Sequence, residues 1–222
     1  MITPSRELEK AALAALPAGS YVAGVDEVGR GSLAGPVSVG IAVVGNETTD
    51  DFPAKLRDSK QISSHVREEL AEPVRQWLVA SAVGHASAAE IDERGIIGGL
   101  RLAAARAATQ LAEAGVAFHA VLLDGSHDWW SADSLFDVDG PPRVPVTMTV
   151  KGDASSAVIA CASVLAKVER DALMVALDGA HPGYDWARNK GYSSPSHIEA
   201  LSRLGASEYH RRSWHLPGVE EK

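Results

Sequence analysis

Apolar and polar residues follow two kinds of pattern along the chain. Short runs rich in Val, Ile and Ala, bounded by Gly, Pro or Asp, are typical of buried strands. Longer stretches with apolar side chains three or four positions apart are typical of helices. Strands are predicted at 21–28, 36–44, 80–87, 118–123 and 144–150. Helices are predicted at 5–16, 64–79, 90–114 and 154–178, with a short one starting at Pro195. Such intermixed strands and helices predict an α/β fold around a mixed sheet.

Residues that favour helix ends stand at the predicted borders. Ser63 or Ser64 is the expected N-cap of the second helix, because a serine hydroxyl can accept from a backbone N–H that the first turn leaves unpaired. Ser194 followed by Pro195 predicts an N-cap and a first helical position. Gly115 is expected just beyond the Ala-rich third helix, where a left-handed backbone is common.

Two adjacent carboxylates, Asp26 and Glu27, end the first apolar strand and are followed at once by Gly29-Arg30-Gly31. A charge on a buried strand is costly unless something compensates it, so two of them suggest a bound cation. Neighbouring strand residues point to opposite faces, and only one of the pair can easily join a carboxylate cluster in the sheet. The other must reach round or offer its backbone carbonyl. The alternative interpretation is a charged edge strand that ends in a glycine turn.

Two further acids share this context, since Asp124 and Asp153 each follow an apolar strand. The carboxyl edge of a sheet is where α/β folds usually build their sites. Oxygen ligands suit Mg²⁺ or Mn²⁺, and no Cys/His spacing in the chain indicates zinc. Two such ions can activate a water and stabilise the leaving oxygen of an in-line displacement. Taken alone, Asp124-Gly125 could be a turn, and Asp153 could be only a helix N-cap.

The composition is ordinary for a soluble globular protein: 45% of the 222 residues are hydrophobic and 23% are charged. This length suits one compact domain. No apolar run approaches the roughly 20 residues needed to span a bilayer, and the N-terminus lacks the layout of a signal peptide. A single cysteine, Cys161, excludes an internal disulfide and fits a reducing compartment. A cytoplasmic location is therefore expected, and a monomer is expected because nothing in the sequence suggests an interface.

The formal net charge of −8 argues against bulk electrostatic attraction to nucleic acid. A nucleic-acid partner would need a local basic face together with bound cations. Each candidate patch could equally be solvated surface. The candidates are Lys55 with Arg57 and Lys60, Lys151 with Lys167 and Arg170, Arg188 with Lys190, and Arg211 with Arg212.

The run 24–37, which contains Asp26, Glu27 and Gly29-Arg30-Gly31, closely resembles the signature of ribonuclease HII, the type 2 ribonucleases H. Other blocks resemble the same family and occur in its order, so that the resemblance covers about 20–214. These blocks are Asp58-Ser59-Lys60, Leu123-Asp124-Gly125, Lys151-Gly152-Asp153, 162–171, Asn189-Lys190-Gly191-Tyr192 and 210–213.

The resemblance implies one type 2 ribonuclease H domain over residues 1–222. Its expected fold is the RNase H-like α/β fold, a mixed five-stranded sheet flanked by helices with a C-terminal helical extension. The resemblance also implies that two Mg²⁺ or Mn²⁺ ions bind to Asp26, Glu27, Asp124 and Asp153. It further implies that Gly29-Arg30-Gly31 and Tyr192 read the 2′-hydroxyl of a ribonucleotide, the group that distinguishes RNA from DNA.

The implied activity is that of an endoribonuclease acting on RNA/DNA hybrids and on duplex DNA that contains ribonucleotides. It would hydrolyse the RNA strand, cut on the 5′ side of a single embedded ribonucleotide, and leave 3′-hydroxyl and 5′-phosphate ends. The alternatives are a ribonuclease HIII-like enzyme, another metal-dependent nuclease on the same fold, and a non-catalytic module that binds hybrids.

The sequence does not decide the roles of several basic residues, three histidines and one segment. Lysine side chains could contact phosphates or cover apolar surface, and Arg211 could clamp a phosphate or form a surface ion pair. The late histidines could orient substrate or assist proton transfer, but structural roles are expected for them. In the segment 126–142, His127 and Asp128 are expected to shape the loop. The lysines are Lys60, Lys151 and Lys167, and the histidines are His197, His210 and His215.

Overall fold

The computed structural model describes residues 4–56, 63–131 and 139–219. Within these ranges one sheet has the strand order β3-β2-β1-β4-β5. Its strands are β1 (Val22–Val28), β2 (Val37–Val44), β3 (Ala80–Ala86), β4 (Ala120–Asp124) and β5 (Val146–Thr149). β1, β2 and β3 pair antiparallel, whereas β4 is parallel to both β1 and β5. The predicted mixed five-stranded sheet is confirmed.

Helices cover both faces of this sheet. They are α1 (Glu7–Ala14), α2 (Ser64–Trp77), α3 (Ala88–Glu113), α4 (Gly152–Ser155), α5 (Ala157–Ala180), α6 (Trp186–Asn189) and α7 (Pro195–Leu204). α3 packs on β2 and β3, and α5 packs on β1 and β2. α6 and α7 follow α5 and form the predicted C-terminal helical extension. None of the helices in the described ranges is long and apolar enough to cross a membrane.

The period-two alternation of β1 divides its side chains between two hydrophobic layers. Val22 belongs to the layer that contains the α5 residues, whereas Val25 belongs to the layer that contains the α3 residues. By the same alternation Asp26 emerges on the α5 face and Glu27 on the α3 face. The two adjacent carboxylates are therefore separated by the sheet itself.

The residues predicted at three helix ends are confirmed. Ser63 and Ser194 are N-caps, and their side chains accept from the backbone N–H groups of Val66 and His197. Gly115 has a φ of 78° and follows the C-cap of α3. Gly205 is the C-cap of α7.

The single helix predicted at 154–178 is wrong at its start. Ser156 has an extended backbone and separates α4 from α5, and its hydroxyl caps α5 by accepting from Ile159 N–H. α4 begins after Lys151, whose backbone is left-handed with a φ of 56°. Asp153 therefore lies inside the first turn of α4 and is not its N-cap. The apolar periodicity of α5 does not reveal this break, because the break depends on the extended backbone of one polar residue, Ser156.

Candidate active site

Three aspartates from distant parts of the chain meet at one edge of the sheet. Asp26, Asp124 and Asp153 each offer a carboxylate oxygen, and these oxygens all lie within 4.8 Å of one another. The parallel pairing of β1 and β4 brings the carboxyl ends of both strands to the same edge. Asp153 arrives there because α4 directly follows β5, the neighbour of β4. Long-range sheet pairing thus assembles the cluster.

A tight turn at Gly152 connects Asp153 to Asp124. The backbone N–H of Gly152 donates to Asp124 Oδ1 at 2.7 Å. A Cβ at position 152 would lie 3.2 Å from that oxygen and 2.6 Å from Ile159 Cδ1, so a side chain there would crowd both neighbours. Glycine at this position allows the close approach that places Asp153 beside Asp124.

The cluster concentrates negative charge in a buried place. Asp26 is only 7% exposed and accepts from the backbone N–H of Glu27 at 2.8 Å. Burial, with repulsion from the carboxylates of Asp124, Glu27 and Asp153, raises the pKa of Asp26 to about 8, although a hydrogen bond from Ser163 opposes the rise. A divalent cation would offset this repulsion. Three clustered carboxylates are a donor set that fits Mg²⁺ or Mn²⁺.

Glu27, the fourth predicted carboxylate, is held separately from the three aspartates. Its Oε2 accepts from the indole Nε1–H of Trp129 at 3.2 Å, and its Oε1 lies 3.3 Å from Arg30 Nη1. Glu27 nevertheless lines the same pocket as Asp26 and adds to the negative charge that Asp26 experiences. The structure therefore brings three of the four predicted carboxylates together and holds the fourth at the rim.

The predicted ribonucleotide-sensing residues line one pocket with Asp26 and Glu27. This pocket has a volume of about 320 Å³, and Gly29, Arg30, Gly31 and Tyr192 are part of its wall. The hydroxyl of Tyr192 accepts from the backbone N–H of Gly29 at 3.1 Å, which joins the two predicted parts of the sensor. Other residues of the wall are Val28, Ser163 and Lys167.

Two buried arginines support the loop that carries Gly29-Arg30-Gly31. Arg211 donates to the carbonyl oxygens of Arg30 at 2.7 Å and Gly29 at 2.5 Å. Arg170 donates to the carbonyl of Lys190, two residues before Tyr192, at 2.9 Å. The Arg170 guanidinium also lies 5.4 Å from the centre of the Tyr192 ring. Both arginine side chains thus hold the pocket wall from behind.

These contacts correct two predictions about basic residues. Arg211 and Arg170 are both completely buried, so Arg211 is neither a phosphate clamp nor a surface ion pair, and Arg170 is not part of a basic surface patch. Burial, together with the charge of Arg170, lowers the pKa of Arg211 to about 9. Charged residues are usually exposed, so nothing in the local sequence indicated this position.

Two buried histidines hold the backbone of Tyr192. His197 Nδ1 lies 2.9 Å from the Tyr192 carbonyl, and its Nε2 lies 3.0 Å from His210 Nε2. The backbone N–H of Ser207 donates to His210 Nδ1 at 3.0 Å, so His210 carries its hydrogen on Nε2 and donates to His197. Burial lowers the pKa of both rings, that of His210 to about 4. This agrees with the structural role predicted for them, and the third histidine, His215, is exposed.

The remaining candidates have more ordinary positions. Lys167 lines the pocket and forms an ion pair with Asp171, whereas Lys151 is exposed beside α4. Asp128 accepts from the backbone N–H groups of Trp130 and Ser131 and so shapes its loop, as predicted. Lys60 and its block lie outside the described residues. The segment 126–142 is described only in part, at 126–131 and 139–142.

Sequence analysis missed the roles of Trp129, Arg170 and Arg211. Trp129 is 102 residues from the carboxylate that it contacts, and Arg211 is 182 residues from Gly29. Contacts at such separations leave no periodic signal. Trp129 lies five residues after Asp124, a predicted site residue at the end of β4. That short separation was the one available signal, but the sequence-based prediction for this loop named only His127 and Asp128.

Comparisons with known proteins agree with the resemblance. Residues 23–216 match the family model described as ribonuclease HII. The ribonuclease HII of Streptomyces avermitilis is 43% identical over 211 residues, which cover 95% of this chain and 83% of that relative. The ribonuclease HII of Thermus thermophilus is 41% identical over 194 residues, covering 87% of this chain and 86% of that one.

A solved structure extends the agreement to the fold. The crystal structure of ribonuclease H2 from Pyrococcus horikoshii superimposes with a TM-score of 0.68 at 26% identity, covering 89% of this chain and 95% of that one. The mixed sheet with flanking helices is thus an α/β RNase H-like fold, as predicted. The family model matches nearly the whole length, and the two relatives are 43% and 41% identical. The chain therefore belongs to the ribonuclease HII family.

Proposed function

We propose that this ribonuclease H hydrolyses the RNA strand of RNA/DNA hybrids and cuts on the 5′ side of single ribonucleotides embedded in duplex DNA. Asp26, Glu27, Asp124 and Asp153 would hold two Mn²⁺ or Mg²⁺ ions, and the products would carry 3′-hydroxyl and 5′-phosphate ends. The observation that carries the proposal is the cluster of three carboxylates within 4.8 Å, beside a pocket walled by Gly29-Arg30-Gly31 and Tyr192.

The carboxylates would provide the metal-binding groups for the proposed hydrolysis. Divalent ions held by these carboxylates would supply an activated water and stabilise the departing oxygen. Asp26 and Asp124 come from neighbouring strands and Asp153 from a short helix fastened to Asp124, so their oxygens are arranged before any ligand arrives. Such preorganisation reduces the cost of ordering the site when substrate binds.

The pocket wall would recognise the ribonucleotide. The 2′-hydroxyl both donates and accepts hydrogen bonds, and backbone groups at Gly29-Arg30-Gly31 can meet it without an intervening Cβ. The Tyr192 hydroxyl accepts from Gly29, so its own hydrogen can be donated to a substrate oxygen. Because glycine backbone and tyrosine are already joined, the proposed sensor would act as one unit.

The overall charge of the protein does not favour binding of nucleic acid, but basic side chains stand close to the proposed site. The net charge is −8, yet Arg30 and Lys167 stand in the pocket wall next to the carboxylates. Phosphate contacts would therefore depend on these side chains and on bound cations. Residues 1–222 would form one type 2 ribonuclease H domain that acts as a monomer in the cytoplasm.

Cleavage of a defined duplex tests the proposed function. The wild type is incubated with DNA containing one ribonucleotide, with Mn²⁺ or Mg²⁺, and in parallel with EDTA. Cleavage 5′ of the ribonucleotide is expected with metal, and Asp124→Asn should lower its rate at least about a hundredfold because a proposed ligand is lost. The ends of the products are identified by mass spectrometry.

Two results would contradict the proposed chemistry. Undiminished cleavage in EDTA would exclude a metal-dependent reaction, and a 2′,3′-cyclic phosphate product would mean that the ribose hydroxyl attacks. Hybrid binding by a folded wild type that never cuts would favour the non-catalytic alternative. Comparing one embedded ribonucleotide with a longer RNA stretch separates ribonuclease HII from ribonuclease HIII-like specificity.

A further inference from the structure

We propose that Trp129 is a positioning residue for the metal site, whose indole N–H holds the Glu27 carboxylate at the rim of the acidic cluster. The inference rests on the proposed metal-binding role of Glu27. Its central observation is the hydrogen bond from Trp129 Nε1 to Glu27 Oε2 at 3.2 Å. Trp129 lies in the loop after β4, five residues beyond Asp124.

Glu27 differs from the three aspartates because its side chain does not point directly towards the acidic cluster. It emerges on the α3 face of β1, whereas Asp26 emerges on the α5 face, so Glu27 must bend round the strand end to approach the cluster. A glutamate side chain has several rotatable bonds, and holding it in one conformation costs conformational entropy. A fixed partner on the α3 face reduces that cost before a metal binds.

Trp129 is rigid enough to be that partner. Its side chain is 1% exposed and packs beside Trp130, with ring centres 6.1 Å apart. Arg101 donates to the Trp129 carbonyl at 3.2 Å, and the backbone N–H of Trp129 donates to His127 O at 3.0 Å. The turn at Asp128 fixes the following residues as well. The indole N–H is therefore held in place from several directions.

The chemistry of the donor also suits a metal ligand. The indole is neutral, so it orients Glu27 Oε2 without cancelling the charge that a cation needs. A carboxylate has about four acceptor sites, and one hydrogen bond leaves others for an ion. Arg30, the second partner of Glu27, is different because it is charged and its side chain is 40% exposed. Metal-bound carboxylates are commonly hydrogen-bonded by an outer residue, and its loss weakens metal binding about 10- to 100-fold.

A purely structural explanation makes a different prediction. On that view Trp129 only fills the core, and its N–H pairs with the nearest available acceptor. Trp130 offers a matched control in the adjacent position. It is 2% exposed, and its indole N–H donates at 3.0 Å to the backbone carbonyl of Pro142 instead of to a proposed ligand.

The test compares Trp129→Phe with Trp130→Phe, because phenylalanine keeps an aromatic ring, removes the indole donor and causes the same loss of ring volume at both positions. Mn²⁺ binding to the substrate-free protein is measured by electron paramagnetic resonance, and thermal unfolding in EDTA checks folding. Trp129→Phe should bind Mn²⁺ about tenfold more weakly than the wild type. Trp130→Phe should stay within about twofold, although both variants lose a buried hydrogen bond of similar energy. Equal Mn²⁺ affinities in the two folded variants would overturn the inference.

Two further measurements complete the test. In the wild type, the indole N–H resonance of Trp129 should move when Mg²⁺ is added and that of Trp130 should not; an unmoved Trp129 resonance also overturns the inference, even if Trp129→Phe does not fold. Combining Trp129→Phe with Glu27→Gln should weaken Mn²⁺ binding no further than Glu27→Gln alone. A wild type that binds no Mn²⁺ would instead contradict the proposed function.

Discussion

Gly29 and Gly31 stand two residues apart in the pocket wall, yet the structure requires them for different reasons. Gly29 has a φ of 82°, and a Cβ there would lie 2.0 Å from Arg170 Nε, so both backbone and packing exclude a side chain. Among the described residues, apart from its chain neighbours, a Cβ at Gly31 would meet no atom within 4 Å. At the residue scale, Gly29 serves the fold and Gly31 leaves space in the pocket.

This difference predicts distinct effects of two alanine substitutions. Gly29→Ala should lower the free energy of unfolding by at least about 1 kcal/mol, because alanine is strained at positive φ. Gly31→Ala should leave the melting temperature almost unchanged and lower kcat/KM on a single-ribonucleotide duplex about tenfold or more, since misplacement by a methyl group costs productive geometry. Thermal unfolding and cleavage assays measure both quantities. Full activity of Gly31→Ala would argue against a substrate sugar packing there.

At the scale of elements, α1 holds the junction that places Asp153. Glu9 of α1 is completely buried, and its Oε1 accepts from Ser156 Oγ at 2.9 Å and from Val158 N–H at 2.7 Å. Ser5 pairs through its backbone with Ser155 and Ala157 on the two sides of the break. The break between α4 and α5 is therefore satisfied by a helix about 150 residues earlier in the chain.

We expect Glu9→Ala to destabilise the protein because it leaves two buried donors without their acceptor. The free energy of unfolding should fall by about 2–4 kcal/mol, as estimated for two unsatisfied groups. Glu9→Gln retains one acceptor oxygen and should cost much less; burial raises the pKa of Glu9, so this site tolerates a neutral side chain. Urea unfolding at neutral pH measures both variants. Equal losses for alanine and glutamine would mean that the negative charge matters more than the hydrogen bonds.

At the scale of the whole molecule, the acidic cluster lowers stability in the absence of cations. Burial, with three neighbouring carboxylates, raises the pKa of Asp26 to about 8, from 3.8 for the ordinary side chain. At pH values between about 4 and 8, Asp26 keeps its proton in the folded protein and loses it in the unfolded chain. The contribution of Asp26 to stability is therefore complete below about pH 4 and is lost as the pH rises towards 8.

Asp26→Asn should remove this pH dependence. In EDTA the variant should become progressively more stable than the wild type between about pH 4 and pH 8, by a few kcal/mol at the upper end. Mn²⁺ should raise the melting temperature of the wild type more than that of the variant, because a ligand is missing. Melting temperatures across this range, with and without Mn²⁺, provide the measurement. A constant difference between the two proteins at all pH values would contradict the proposed origin of the effect.

The sequence by itself determined the strands, most helices and three members of the acidic cluster. Period-two and period-three-to-four patterns reflect burial directly, so β1 and β2 were predicted within one residue of their bounds. Acids at the ends of apolar strands made Asp26 and Asp124 candidates for a site at the sheet edge, and the resemblance to ribonuclease HII implied that they share it with Asp153. The same alternation anticipated that Glu27 and Asp26 would face opposite sides of β1.

Only the tertiary structure decided which long-range contacts hold these residues in place. The positions of Arg211 and Arg170 behind the pocket, of Trp129 beside Glu27 and of Glu9 beneath the α4–α5 break depend on strand order and helix packing. A buried polar side chain is stable only where its partners converge, and those partners come from other elements. Local patterns record which face of an element is buried, whereas the fold determines what that face meets.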